Sequence, residues 1–153
     1  MIMIRDTRER RGWDFACIDP QPQVVVATLR TGDYSIRGYE DDVCVERKEL
    51  SDLFGTFGQG RDRFVRELER MSIMAFASVV IEADFDTIVR RPPARSKLLP
   101  KTVIRSIAAW QIRYRVHFTV CPNREFAERW TFILLERFWK DREKELRNQR
   151  PKI

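Results

Sequence analysis

Two carboxylates and an ammonium, Asp33, Glu46 and Lys48, lie within one short stretch of the chain. Asp33 follows Gly32 in a tight turn ahead of one strand, and Glu46-Arg47-Lys48 ends the next. Like charges crowded together are costly, and a divalent metal or a reaction offsets that cost. The chemistry these groups suit is the holding of a metal ion and the activation of a water. Side chains alternate across a strand. Cys44, Glu46 and Lys48 therefore share one face, while Val43, Val45 and Arg47 point the other way. The Glu-x-Lys spacing thus sets a carboxylate and an ammonium side by side.

The elements that must hold these groups follow from pattern. Residues 1–4 are an apolar run that reads as a first strand, and residues 5–11 mix both charges. Residues 12–23 carry Gly12, Pro20 and Pro22 and read as a loop. Residues 24–29 are β-branched and nearly all apolar, as in a buried strand. With strands over 34–37 and 43–48 they predict a small antiparallel meander. A helix begins at Leu50, and Gly55, Gly58 and Gly60 are expected to break it into a surface loop. That loop lacks the Gly-Lys-Ser/Thr of a phosphate loop.

Residues 61–74 read as a helix with one apolar stripe, Phe64, Leu68 and Met71. Residues 76–82 are a near-continuous apolar run, the mark of a central strand covered on both faces. Glu82 at its polar end is a further candidate to approach the site. Residues 84–101 hold Arg90, Arg91, Arg95 and Lys97 among prolines; both a solvated loop and a DNA-contacting arm remain open. Pro100 suits the first turn of a helix whose inner side would carry Ile104, Ile107, Ala108 and Gln111. Residues 116–120 alternate as a half-buried strand, with His117 on the polar side. Asn123 is a good cap for a last helix running from Arg124 into the 140s. Its wide stripe of Phe126, Trp130, Ile133, Leu134 and Phe138 leaves room for a dimer contact.

Composition bounds the class. The 153 residues suit a single domain over 1–140, followed by a charged tail over 141–153 that is expected to fray. The net charge is +6 and the isoelectric point about 9.6, which favours an acidic partner such as nucleic acid. No segment approaches the ~20 apolar residues of a membrane span, and the start of the chain does not read as a signal peptide. Cys17, Cys44 and Cys121 are scattered, which argues for reduced thiols in an intracellular compartment rather than zinc or disulfides. A lone His117 makes a Ser-His-Asp triad improbable.

The same residues carry a resemblance. Asp33, Glu46 and Lys48 fit the PD-(D/E)-x-K pattern of restriction-like nucleases. Three blocks, Asp6-Thr7-Arg8-Glu9, Gly32-Asp33-Tyr34 and Glu46-Arg47-Lys48-Glu49-Leu50-Ser51-Asp52, resemble in order the core of the XPF family of structure-specific DNA endonucleases. Gly60-Arg61 and Ile81-Glu82 also look like that family. The resemblance implies an α/β restriction-endonuclease-like fold, a central mixed β-sheet flanked by helices. It implies a Mg²⁺- or Mn²⁺-dependent endonuclease acting on fork, flap or junction DNA. Asp33 and Glu46 would be the main metal ligands, with Asp6 as a third or in support. Lys48 would orient or activate the water. Arg47 would offer its carbonyl to the metal and its side chain to Asp52 or a phosphate. Arg8 would hold phosphate, oriented by Glu9, and Asp52 would support the site. With Arg8, the residues Arg61, Arg90, Arg91, Arg95 and Lys97 would face DNA.

Many members of that family carry a helix-hairpin-helix or helicase domain for which this sequence has no room. DNA grip is therefore expected from a homodimer mate or a partner protein, and a stand-alone domain suggests a prokaryotic or viral setting, in the cytoplasm or nucleoid. Two other readings stay open. One is a non-catalytic DNA-binding partner subunit that keeps the fold; intact Glu46 and Lys48 argue against it. The other is a sequence-specific restriction-like enzyme.

Overall fold

The computed structural model describes residues 1–149. Six strands form one sheet in the order β2-β1-β3-β4-β5-β6. They are β1 (Ile2–Asp6), β2 (Gln23–Ala27), β3 (Tyr34–Ile36), β4 (Val43–Lys48), β5 (Phe76–Ile81) and β6 (His117–Val120). The three central strands β1, β3 and β4 run antiparallel in turn, while β2 lies parallel to β1, and β5 and β6 lie parallel to β4. The sheet is mixed and flanked by helices, as the sequence led one to expect.

The alternation of β4 divides the core in two. Cys44 falls in a cluster with Leu53, Phe57, Phe64, Leu68, Val79 and Trp110 on one face. Val43 and Val45 fall in the other, with Trp13, Phe15, Tyr34, Val80 and Leu135. The first face is covered by α1 (Leu50–Phe57), α2 (Arg61–Met71), α3 (Phe85–Arg90) and α4 (Pro100–Tyr114). The second is covered by α5 (Arg124–Gln149) and by the loop that carries Trp13 and Phe15. Both apolar stripes meet a sheet face, which is what stabilises short helices in water. Phe64, Leu68 and Met71 are all buried, as their spacing requires.

Several expectations are corrected. The strand over 24–29 is not part of a meander: β2 pairs in parallel with β1 at the sheet edge and is only half-buried, with Val26 57% exposed. A long crossover loop separates β1 from β2, and local pattern does not reveal such a connection. The helix begun at Leu50 runs through Gly55 to Phe57, since Phe54 and Phe57 gain a buried seat by continuing it. Residues 85–90 are helical, capped by the Asp84 carboxylate, which accepts the Thr87 N–H at 2.7 Å. The inner side of α4 is Val103, Ser106, Ile107, Trp110 and Tyr114; Ala108 and Gln111 are exposed. The seat taken by Trp110 against Phe57 and Phe64 rotates the helix. On α5, Phe126 and Ile133 are about half exposed, while Trp130, Leu134 and Phe138 pack against the core. That helix continues through the charged residues to Gln149, where i,i+3 and i,i+4 ion pairs such as Arg137–Asp141 and Arg142–Glu145 line it. Residues 150–153 of the expected tail lie outside the described residues.

Candidate active site

The site sits at the end of the sheet where the interior strands β1, β4 and β5 finish and the antiparallel β3 begins. Tyr34 pairs with Val45, so one step further along the ladder Asp33 faces Glu46. Two bonds fix this arrangement. The Asp33 N–H donates to the Val45 carbonyl at 2.9 Å, and the Asp33 carboxylate accepts the Arg47 N–H at 2.8 Å. Gly32 makes the turn possible: its φ is +75°, and a Cβ there would lie 2.8 Å from Cys44 Cβ.

Glu46 and Lys48 leave β4 on the same face, and Lys48 Nζ donates to Glu46 Oε1 at 2.6 Å. Their side chains are 12% and 13% exposed. Lys48 Nζ also lies 5.0 Å from the centre of the Phe64 ring. Burial pulls the Lys48 ammonium down, but Glu46, Asp33 and Asp52 more than reverse this and its pKa is raised. Asp33 goes well above the usual carboxylate range, first from burial and then from the charge of Glu46; the Arg47 N–H and Lys48 oppose this. A cavity of about 310 Å³ opens over Asp33, Glu46 and Lys48. A second, of about 450 Å³, continues it past Glu49 and Asp52 to the Arg8–Arg11 loop.

Arg47 points to the opposite face and is 4% exposed. Its guanidinium donates to Glu82 at 2.7 and 3.1 Å and reaches Glu9 at 3.4 Å and Glu49 at 3.8 Å. Glu82 accepts further from Trp13 Nε1 at 2.9 Å and Arg124 at 3.2 Å. The expected partner Asp52 is therefore replaced by Glu82, and Glu82 itself turns away from Asp33 and Glu46 to neutralise Arg47. Glu9 holds Arg47, not Arg8.

The Asp6 carboxylate lines neither cavity, although the Asp6 N–H donates to the Asp33 carbonyl at 2.8 Å. Asp6 is 1% exposed, and its oxygens accept Arg8 Nε at 2.7 Å, Arg8 Nη2 at 3.3 Å, and the N–H groups of Arg8 and Leu29 at 2.9 and 2.7 Å. Burial opposes its ionisation, yet these donors hold its pKa below the usual range. Asp6 fixes Arg8, whose side chain is 69% exposed and lines both cavities. Among the described residues no group of three or more acidic, histidine or cysteine side chains is placed to hold a metal. Asp33 and Glu46 are the pair of carboxylates beside Lys48 on the cavity wall. This still suits a small divalent cation that takes one or two carboxylates and keeps several waters, and such a cation would relieve the repulsion between them.

The ERCC4 domain matches residues 5–134. The chain belongs to the ERCC4 domain family. The structure resembles XPF from Aeropyrum pernix, with a TM-score of 0.70 at 22% identity over 97% of this chain and 69% of that one. A second structure, XPF from Aeropyrum pernix in complex with DNA, aligns with a TM-score of 0.70 at 20% identity over 92% of this chain and 66% of that one. No curated protein sequence matches.

Within this ERCC4 domain the basic residues divide by role. Arg61 does not face the cavity: its guanidinium stacks 4.5 Å from the Trp110 ring and donates to Ser106 Oγ at 3.0 Å, tying α2 to α4. Arg90 pairs with Asp86 on the exposed side of α3, and Arg91 caps that helix. Arg95 and Lys97 line a third cavity beyond α1. Sequence reading missed Arg63, Glu67 and Arg70, which line the first cavity. Their signal was present, since 63, 67 and 70 repeat the i, i+4, i+7 spacing of the apolar stripe one residue earlier. Glu67 Oε1 accepts the Gly32 N–H at 2.9 Å while its other oxygen is held by Arg70. Glu67 thereby clamps the turn that aims Asp33.

Asp33→Asn should stabilise the metal-free protein at neutral pH. The folded pKa of Asp33 lies above its unfolded value, so its proton favours the fold. That contribution is complete below the unfolded value near pH 4 and is lost as pH rises through the folded one. Thermal unfolding in chelator at neutral pH should show a gain on the order of 2–4 °C, what ~1 kcal/mol gives at this length. The gain should vanish below about pH 4; a loss of stability at neutral pH would contradict the assignment. Glu67→Ala leaves the Gly32 N–H without its acceptor and should cost about 1–2 kcal/mol, roughly 2–8 °C. Glu67→Gln keeps an acceptor and should recover most of this. Equal losses in the two variants would mean that charge, not the bond to Gly32, is what matters.

Proposed function

We propose that this domain is a metal-dependent DNA endonuclease that hydrolyses phosphodiester bonds, with a preference for branched DNA. The observation that carries this reading is the Glu46–Lys48 contact of 2.6 Å on the same cavity wall as a buried Asp33. Membership of the ERCC4 domain family and the likeness to an XPF solved in complex with DNA support the choice of DNA as substrate. The cationic rim of Arg8, Arg63 and Arg70 is the complementary surface for a phosphate backbone.

Asp33 and Glu46 would hold Mg²⁺ or Mn²⁺, which when bound supplies charge neutralisation at the phosphate and a lowered pKa for the attacking water. Lys48, held by Glu46, would direct its remaining N–H donors at the water or at the oxygen on which charge develops. Arg8, fixed by Asp6 and the Leu29 carbonyl at 2.8 Å, would receive a phosphate at the cavity rim. Asp52, on the first turn of α1 and lining the outer cavity, would support Lys48 through its charge.

Glu46→Gln and Lys48→Met should each reduce cutting of a labelled fork in Mg²⁺ or Mn²⁺ by about 10²-fold or more. Binding of the same fork should change little. Undiminished cutting by either variant would sink the reading. Tight fork binding by the wild type with no cutting in either metal would instead favour a non-catalytic partner subunit. Cuts at a fixed sequence, independent of the branch, would favour a restriction-like enzyme.

Additional DNA grip would come from a second copy or a partner chain. The exposed apolar residues Ile112 on α4 and Phe126 and Ile133 on α5 support a homodimer through the last two helices. Sedimentation equilibrium should give a dimer that Ile112→Glu with Phe126→Glu converts to monomer. A wild-type monomer at high concentration would remove the proposal.

A further inference from the structure

The third cavity, of about 820 Å³, lies between the C-terminal half of α1 and the loop that follows α3. Its accessible apolar lining is the half-buried Pro93 and Leu98, with Phe54 only 2% exposed beneath, and its α1 side is the bare backbone of Gly55 and, just past the helix, Gly58. Its rim carries Arg95 and Lys97, and no acidic side chain lines it. Neither cation has an ion-pair or hydrogen-bond partner among the described residues, unlike Arg8, Arg47, Arg61, Arg70 and Arg90. The loop is shaped locally: the Ser96 N–H donates to the Pro93 carbonyl at 2.9 Å, and the Leu98 N–H donates to Ser96 Oγ at 3.1 Å. This sets residues 95 and 97 on either side of a small turn.

We infer that this groove seats an unpaired DNA strand, with bases against Pro93 and Leu98 and phosphates on Arg95 and Lys97. The inference deepens the reading of the chain as a DNA endonuclease and rests on it. Three observations select the occupant. Two free cations with no carboxylate call for a polyanion, whereas the catalytic cavities mix both signs. An apolar lining has nothing to offer the outside of a duplex, whose bases are stacked and hidden, but it can take exposed base faces. The groove also adjoins the active site. Thr56 and Gly60 line the catalytic cavity, while Gly55, Gly58 and Gln59 of the same turn line the groove. A strand lying in it would therefore pass the carboxylates on the other side of one chain turn. The groove would read the branch by holding the strand that has left the duplex.

The test compares binding, in Ca²⁺ or chelator, of a blunt duplex and of the same duplex with a single-stranded oligo-dT arm, followed by fluorescence anisotropy. The wild type should prefer the armed duplex. Arg95→Ala with Lys97→Ala should weaken the armed duplex about tenfold and leave the blunt one within about twofold. The dependence of log affinity on log salt for the armed duplex should fall by about 1.4, at roughly 0.7 for each single-strand phosphate. A second variant tests space instead of charge. A Cβ at Gly55 would meet nothing within 4 Å, so Gly55→Trp fits the helix and fills the groove. It should lower affinity for the armed duplex alone.

Equal losses on both DNAs, or no loss in either variant, would overturn the inference. So would a wild type that does not distinguish the two DNAs. Preference for the arm in a protein that cuts nothing would leave the groove standing and remove the nuclease reading instead.

Discussion

Strand β4 changes sides at every residue, and the charges at its end inherit that alternation. Glu46 and Lys48 fall on the face covered by α1 and α2, and Arg47 falls on the face covered by the Trp13 loop and α5. Three consecutive charged residues are thereby split between two partly buried settings. Removing charges from water costs several kcal/mol each unless partners replace the lost solvent. The fold meets that demand differently on the two faces, and the difference separates structure from chemistry.

On the α5 face the demand is met in full. There the Arg47 guanidinium is surrounded by Glu82, Glu9 and the partly exposed Glu49, and the buried Glu82 is further held by Trp13 and Arg124. These contacts join the segment after β1, strand β4, the end of β5 and the start of α5. On the α1 face the demand is met only in part. One ammonium stands against two carboxylates, and Asp33 is left with a raised pKa. A network that satisfies every member fixes geometry; one that leaves a carboxylate frustrated is the kind found where a ligand completes the set. The satisfied face also holds the unsatisfied one in place, because the Arg47 N–H that orients Asp33 belongs to the residue whose side chain is locked behind the sheet.

What could be read in the sequence depended on local periodicity. The period of two in β4 separated Glu46 and Lys48 from Arg47, and the i, i+4, i+7 spacing of Phe64, Leu68 and Met71 found the inner side of α2. What failed depended on contacts distant in sequence. Nothing local distinguishes a β2 that joins β3 in a meander from one that crosses over to lie beside β1. Arg61 reads as a free cation until Trp110 and Ser106 arrive from α4, 45 and more residues later. Asp6 reads as a metal ligand or its support, and sequence alone does not show that the Leu29 N–H and Arg8 claim its oxygens. Glu67 goes unmarked in the sequence because its partner, the Gly32 N–H, lies 35 residues away. Gly55 and its neighbours read as a break, but propensity yields when Phe54 and Phe57 can be buried by continuing the helix.

The continuation of that helix bears on function. Had it ended at Phe54, residues 55–60 would not form the wall that the two cavities share. Because the helix continues to Phe57, the turn is short and internally bonded, with the Gly58 N–H on the Phe54 carbonyl and the Gly60 N–H on the Gly55 carbonyl, both at 3.0 Å. Its glycines carry no side chains to close the space on either side. One side of the turn faces Asp33, Glu46 and Lys48, and the other faces Arg95 and Lys97. The burial of two phenylalanines therefore sets a thin partition between the cavity proposed to hold a cation and the groove proposed to hold a DNA strand. A strand bent over such a partition would present one phosphate to the carboxylates while its neighbours are held away from them.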